Sequence, residues 1–177
     1  MEIEILRLGH RLPRDERIST HVALVARAFG ANSMAYSGQH DEGLSRSLER
    51  LGTSWGGQFK VEYMPKYKSY IKEKKEQGFS IAHLSMYGIP LPEAVPKIKK
   101  KQKLLLIVGG EHVPPDVYHL SDFNISVTNQ PHSEVAALAI TLDRLMDGKE
   151  LERSFDKRFK GKIRIEPSEK GKEIIEG

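Results

Sequence analysis

Residues Lys103 to Gly110 read KLLLIVGG, and this stretch decides the fold. Leu104 to Val108 are all large and apolar, and two glycines follow them. A strand with one wet face alternates polar and apolar residues, so an unbroken apolar run fits a strand buried on both faces. Such strands occur in parallel sheets covered by helices on either side. Outward from this strand, "SIAHLSMYG" (Ser80 to Gly88) reads as another strand with its loop, and Leu91 to Lys97 as a short helix. Downstream, Val117 to Leu120 is a turn or short helix and "FNISVT" (Phe123 to Thr128) a further strand. Ser133 to Met146 is the longest helical pattern, with Val135, Leu138, Ala139, Leu142, Leu145 and Met146 on one stripe and Gly148 ending it.

The amino-terminal half repeats the alternation. "IEILRLGHR" gives a strand through Ile3, Ile5 and Leu8 that ends at Gly9, followed by a basic loop, His10 to Arg17. Ser19 or Thr20 is the expected N-cap of the next helix, whose apolar stripe is Val22, Val25, Ala26 and Phe29 before Gly30. "SMAYSG" (Ser33 to Gly38) is a strand, Asp41 to Leu51 a helix stopped by Gly52, and "FKVEYM" (Phe59 to Met64) a strand. A lysine-rich helix spans Lys66 to Gln77 before Gly78. Strands alternating with helices at this spacing predict an α/β domain with a mainly parallel sheet and helices on both faces.

Composition removes several classes of function. With 177 residues the chain is long enough for one domain. It has no cysteine, which rules out disulfides, thiolate zinc sites and cysteine nucleophiles. No apolar run approaches the roughly 20 residues that span a bilayer, and Met1-Glu2-Ile3-Glu4 lacks the basic start of a signal peptide. The expectation is a cytoplasmic protein with no membrane partner. Lys and Arg number 28 against 24 Asp and Glu, a mild excess of +4. The tail from Lys149 to Gly177 is rich in both signs and poor in large apolar residues. It is expected to pack along the domain or a partner subunit, or to fray over its last residues.

Three strand-to-loop junctions carry chemistry: His83 to Gly88, Val108 to Pro114 and Val127 to Glu134. Each follows an apolar strand, so all three belong at the carboxyl edge of a parallel sheet, where ligands of open α/β sheets collect. Glycines allow close approach to the backbone, and Asn, Gln and Ser before a helix supply polar groups at its N-terminus. No G-x-x-x-x-G-K-[ST] and no G-x-G-x-x-G is present, which argues against NTPase and dinucleotide-dehydrogenase readings. The seven histidines form no H-x-x-x-H or H-E-x-x-H pair, so no metal is expected.

Arg11, Arg14 and Arg17 cluster just before a helix whose positive dipole end they oppose. They either hold a phosphate or are solvated partners of Asp15 and Glu16. Two lysine clusters, Lys66/Lys68/Lys72/Lys74/Lys75 and Lys97/Lys99/Lys100/Lys101/Lys103, fit an anionic partner or a solubilising face equally well.

Taken together, "LRLGHRLPRDERISTHVALVARAFGA", "HLSMYG", "IVGGEHVP" and "VTNQPHSEVAALAI" resemble the archaeal tRNA cytidine-56 2′-O-methyltransferases of the SpoU branch of the SPOUT class. The likeness runs from about Leu6 to Leu145. It implies a SPOUT-like methyltransferase domain over residues 1–148 with a C-terminal trefoil knot, and a charged C-terminal extension over 149–177. It also implies S-adenosylmethionine (SAM) as methyl donor, tRNA as substrate and a homodimer with the active site at the subunit interface.

Carried onto this chain, the cofactor loops are Leu84; Val108, Gly109, Gly110, Glu111, His112 and Val113; and Val127, Thr128, Asn129, Gln130, Pro131, His132, Ser133 and Glu134. Leu84, Val108, Val113 and Val127 would hold the adenine, while Asn129 and Ser133 would take polar atoms.

Related SpoU enzymes assign an N-terminal arginine to the reaction, usually preceded by Asn. "RDERISTH" has no Asn, and Arg17 is the first candidate, Arg14 the second. A guanidinium stays protonated and suits a phosphate clamp and hydroxyl polariser. The imidazole of His21 is then the candidate base, or else simply packs at the helix start. Two other readings stand beside 2′-O-methylation of cytidine 56: another tRNA or rRNA position, and a noncatalytic RNA-binding module on the same fold.

Overall fold

The computed structural model describes residues 1–110, 112–152 and 157–177. In chain order the elements are β1 (Glu2–His10), α1 (Glu16–Ala28), β2 (Ser33–Gly38), α2 (Glu42–Trp55), β3 (Lys60–Tyr63), α3 (Tyr67–Glu76), β4 (Ser80–Pro90), α4 (Leu91–Ile98), β5 (Lys103–Val108), α5 (Pro115–Leu120), β6 (Phe123–Ser126) and α6 (Glu134–Met146). A single 3₁₀ turn at Lys149–Leu151 leads to β7 (Ile163–Glu166) and β8 (Glu173–Glu176).

The first six strands form one parallel sheet in the order β3-β2-β1-β5-β4-β6. β1 and β5 lie at its middle, paired in register from Glu2–Lys103 to Arg7–Val108. The apolar run of β5 divides between two cores. Leu104, Leu106 and Val108 join Ile3 and Ile5 beneath α1, α2, α4 and α6. Leu105 and Ile107 join Leu6 and Leu8 beneath α3 and α5. This division is the period-two alternation of a strand with both faces dry, and burying each such side chain is worth about 1.5–3 kcal/mol.

Some boundaries differ from those expected. α1 begins at Glu16 and not after Ser19 or Thr20. The amide of Ser19 already donates to Asp15 O within the helix, and its buried hydroxyl lies 2.8 Å from His10 Nδ1. α2 runs through Gly52 to Trp55, because Leu44, Leu48 and Leu51 keep one face against the core. It ends at Gly56, whose φ of 74° is the left-handed conformation that a glycine adopts without strain. Asp41 caps its start by accepting from Gly43 and Leu44 N–H groups. β6 stops at Ser126, two residues early. The tail forms an antiparallel hairpin from β7 and β8, so its last residues carry a strand.

Candidate functional site

The second half of β4, which runs on as a strand to Pro90 where a loop was expected, and the loops after β5 and β6 meet at the carboxyl edge of the sheet around a cavity of about 410 Å³. Of the residues singled out in sequence, Leu84, Val108, Gly109, Gly110 and Val113 line it from the first two loops. Pro131, His132 and Glu134 line it from the third. Its size falls within the range of roughly 300–1,000 Å³ typical of small-molecule sites.

The remaining residues of the third loop shape the wall without lining it. Val127 packs on the core, Asn129 donates through Nδ2 to Met86 O at 2.6 Å, and Ser133 caps α6 by accepting from Val135 N–H. Thr128 Oγ1 accepts from Gln130 N–H, and Gln130 O lies 2.7 Å from His132 Nδ1. The side chains of Asn129 and Ser133 thus have partners within the protein, while Asn129 Oδ1 and the Ser133 O–H keep capacity for a further hydrogen bond. His112 is exposed outside the cavity, and Glu111 lies outside the described residues.

Two close approaches fix this edge. A Cβ at Gly88 would stand 2.3 Å from Ile125 N, and one at Gly109 would stand 2.1 Å from Val113 Cγ2. β4 pairs with β6 at Leu84–Ile125 and again at Ile89–Ile125, so residues 85–88 bulge out of the pairing within β4 and return to the same partner. Gly88 permits that return.

Sequence reading missed the charged floor. Arg7, on the inward face of β1 and 1% exposed, places Nη2 2.8 Å from Glu134 Oε1 and donates through Nη1 to Leu8 O. Burial lowers the Arg7 pKa and raises that of the Glu134 carboxyl, and their mutual attraction opposes both shifts. A Cβ at Gly110 would lie 3.6 Å from Arg7 Nη2 and 3.8 Å from Glu134 Oε2, so this glycine sits directly over the pair. An arginine at an inward strand position was the available signal.

His83, Ser85, Met86 and Tyr87 of the first junction also line the cavity, together with Tyr118 and Ala137, which were not singled out. His83 is fully buried, and its Nδ1 lies 3.0 Å from Asn124 Oδ1. Asn124 Nδ2 in turn donates to Tyr118 O, which orients the amide oxygen toward the imidazole. His83 Nδ1 is therefore the donor, and burial holds its pKa below the usual histidine value.

The arginine cluster lies beside this cavity and not in it. Arg11 and Arg14 both face the carboxylate of Asp15, with Nε–Oδ distances of 3.4 and 3.8 Å. Arg17 and His21 are exposed one helical turn apart on α1, and neither side chain has a hydrogen bond or ion pair among the described residues. None of Arg14, Arg17 and His21 lines the cavity formed by their own chain.

The lysine clusters are partly neutralised. Lys68 pairs with Asp116, Lys74 with Glu4 at 2.6 Å, Lys75 with Asp122 at 3.0 Å, Lys99 with Asp147 and Lys103 with Glu2 at 3.7 Å. Among the described residues no three His, Asp or Glu side chains converge as a metal-binding group, and no helix is long and apolar enough to cross a membrane.

Comparison with known proteins gives the family and the fold. The family described as tRNA ribose 2′-O-methyltransferase, aTrm56, matches residues 55–175. A tRNA (cytidine(56)-2′-O)-methyltransferase of Methanosphaera stadtmanae is 52% identical over 98% of each chain. Among solved structures, a TrmH/SpoU tRNA modifying enzyme of A. aeolicus superimposes with a TM-score of 0.62 at 16% identity, covering 90% of this chain and 80% of its own. The SpoU methyltransferase AviRb of Streptomyces viridochromogenes, solved with AdoMet, gives 0.61 at 15% identity, covering 86% and 59%. The six-stranded sheet and its flanking helices are thus the fold of the SpoU/TrmH enzymes.

Proposed function

The chain belongs to the tRNA ribose 2′-O-methyltransferase family aTrm56, and on that premise we propose that it methylates the 2′-hydroxyl of cytidine 56 in tRNA. The observation that carries the reading is the single cavity into which the three loops of the family motif converge. SAM is the methyl donor, and its binding residues are those of that cavity.

The donor set fits such a ligand. Leu84, Val108 and Val113 offer an apolar wall to a flat heterocycle, Gly109 and Gly110 leave backbone groups accessible, and Glu134 presents a carboxylate suited to a cationic group. SAM supplies a sulfonium methyl open to in-line displacement by the ribose 2′-oxygen. The chain's own task is then to place that oxygen and receive its proton. Arg17 clamps the adjacent phosphate and polarises the hydroxyl, Arg14 is the second candidate for this role, and His21 takes the proton.

Arg17 and His21 lie outside their own chain's cavity, and this favours a homodimer in which each subunit's α1 serves its partner's cofactor. The α1–α6 face supports it with Leu24 at 37% and Ile140 at 43% exposure beside those polar residues. The likeness to the SpoU/TrmH fold extends in this reading to a trefoil knot in the C-terminal part, with residues 1–148 as catalytic domain and 149–177 as extension. A tRNA substrate is in keeping with a cytoplasmic enzyme.

The test is transfer of labelled methyl from SAM to an unmodified tRNA transcript, followed by mapping of the labelled nucleotide. Label at the 2′-oxygen of cytidine 56 is expected. Label elsewhere in RNA would retain the chemistry and overturn the target, and binding of tRNA without transfer would leave a noncatalytic module.

A further inference from the structure

At the far end of α1 from the cofactor cavity, the C-terminal hairpin and the last turns of α1 and α2 enclose a second cavity of about 770 Å³. Its floor is Arg27. The Arg27 Nη2 donates to Gly56 O at 2.7 Å and to Trp55 O at 3.1 Å, and its guanidinium lies 4.4 Å from the centroid of the Phe159 ring. Arg158 packs on the same ring at 4.5 Å and donates to Arg27 O. A Cβ at Gly161 would stand 2.3 Å from the Trp55 carbonyl carbon, and one at Gly56 would stand 2.1 Å from Phe159 O. These contacts key the segment before the hairpin to both helices, so the groove is preformed.

Its charge is unbalanced. Lys157, Lys160 and Arg164 line the groove, are exposed, and make no side-chain hydrogen bond or ion pair among the described residues. Glu166 is the one carboxylate among the described lining residues. The lysines of α3 differ, because Lys68, Lys74 and Lys75 each meet a carboxylate of this same chain. Unneutralised cations gathered on a concave wall repel one another until an anion arrives, and a polyanion relieves all three at once. Ile163 and Ile165 beside them leave apolar surface for sugar faces.

We infer that this groove is a second tRNA-binding surface, gripping the sugar-phosphate backbone away from the methylated loop. The inference rests on the proposed tRNA activity, which brings the required polyanion to the protein. α1 spans 13 residues, about 20 Å at 1.5 Å per residue, so one RNA reaches both Arg17 and the groove.

The experiment compares the full-length protein with its Lys157→Ala/Lys160→Ala/Arg164→Ala variant in tRNA binding over a salt series, together with SAM affinity, turnover and subunit mass. The variant is expected to bind tRNA roughly tenfold or more weakly, with the slope of log affinity against log salt reduced by about 2–3. SAM affinity, and kcat at saturating tRNA, are expected to stay unchanged. A Lys157→Arg/Lys160→Arg/Arg164→Lys variant restores binding. Unchanged tRNA affinity and slope overturn the inference. An altered subunit mass with unchanged tRNA affinity also overturns it, because the groove then seats a second copy. Failure of the wild-type protein to methylate tRNA refutes the activity instead, and the binding comparison still decides the groove.

Discussion

Arg7 Nη2 lies 2.8 Å from Glu134 Oε1, joining the carboxyl end of β1 to the first turn of α6 beneath Gly110. The pair bridges elements far apart in sequence at the floor of the cavity proposed for the cofactor. Arg7 is almost wholly buried, so losing its partner leaves a charge with little access to water. Glu134→Gln is therefore expected to destabilise the protein by about 3–5 kcal/mol. Arg7→Met/Glu134→Met is expected to recover most of that loss, because no buried charge then remains. Denaturant unfolding of Arg7→Met, Glu134→Met and the double variant measures the coupling. Additive losses would show that the pair does not act as a unit.

Gly88 gives a steric prediction. Its Cβ position is 2.3 Å from Ile125 N and 2.4 Å from Asn124 C, both backbone atoms that cannot rotate away. Gly88→Ala is expected to push β4 from β6, costing about 1–3 kcal/mol or more. Because the same return shapes the loop of Ser85 to Tyr87, SAM affinity should fall in parallel. Calorimetric unfolding and SAM titration check both. Wild-type values for both would show that the edge relaxes around a methyl group.

These two sites mark what the sequence disclosed and what it withheld. Leu104 to Val108 announced a strand dry on both faces, because period-two burial on two sides removes every polar position. Three strand ends were enough to place the three junctions around one cavity, since parallel strands bring their carboxyl ends together. The partner of Arg7 was not legible, because an ion pair between Arg7 and Glu134 depends on β1 and α6 meeting in space. The N-cap of α1 was misjudged for a similar reason. Ser19 is a good capping residue, but its hydroxyl lies against His10, a contact that local propensity does not contain. The contacts of Asn129 with Met86 O and of Ser133 with the Val135 amide were likewise not legible, because the first joins segments 43 residues apart.

His83 sets a pH dependence. Burial lowers its pKa, so the folded protein keeps it neutral while the unfolded chain takes up a proton below about 6.5. The unfolded state binds more protons in that window, and stability therefore rises with pH between the lowered folded value and about 6.5. Above it, the contribution of His83 is flat. Unfolding free energies measured across pH 5–8 should show this rise, and His83→Gln should flatten it. An unaltered slope in the variant would assign the dependence to other groups.

Arg17 and His21 carry the last prediction. Both are exposed on α1 and outside their own chain's cofactor cavity. Arg17→Ala is expected to lower kcat by about 10²–10³-fold through loss of charge stabilisation, with SAM affinity unchanged. His21→Ala is expected to lower kcat by about 10²–10⁴-fold if it takes the hydroxyl proton. The proposed composite site adds a sharper test with mixed subunits. A chain bearing Arg17→Ala keeps its cofactor cavity, and a chain bearing Leu84→Trp keeps its arginine but fills the cavity. A heterodimer of the two holds one intact pair across the interface, so activity absent from each variant alone should return on mixing. No recovery from a verified heterodimer would place Arg17 and the cofactor it serves within one chain, and would remove the reason for a shared site.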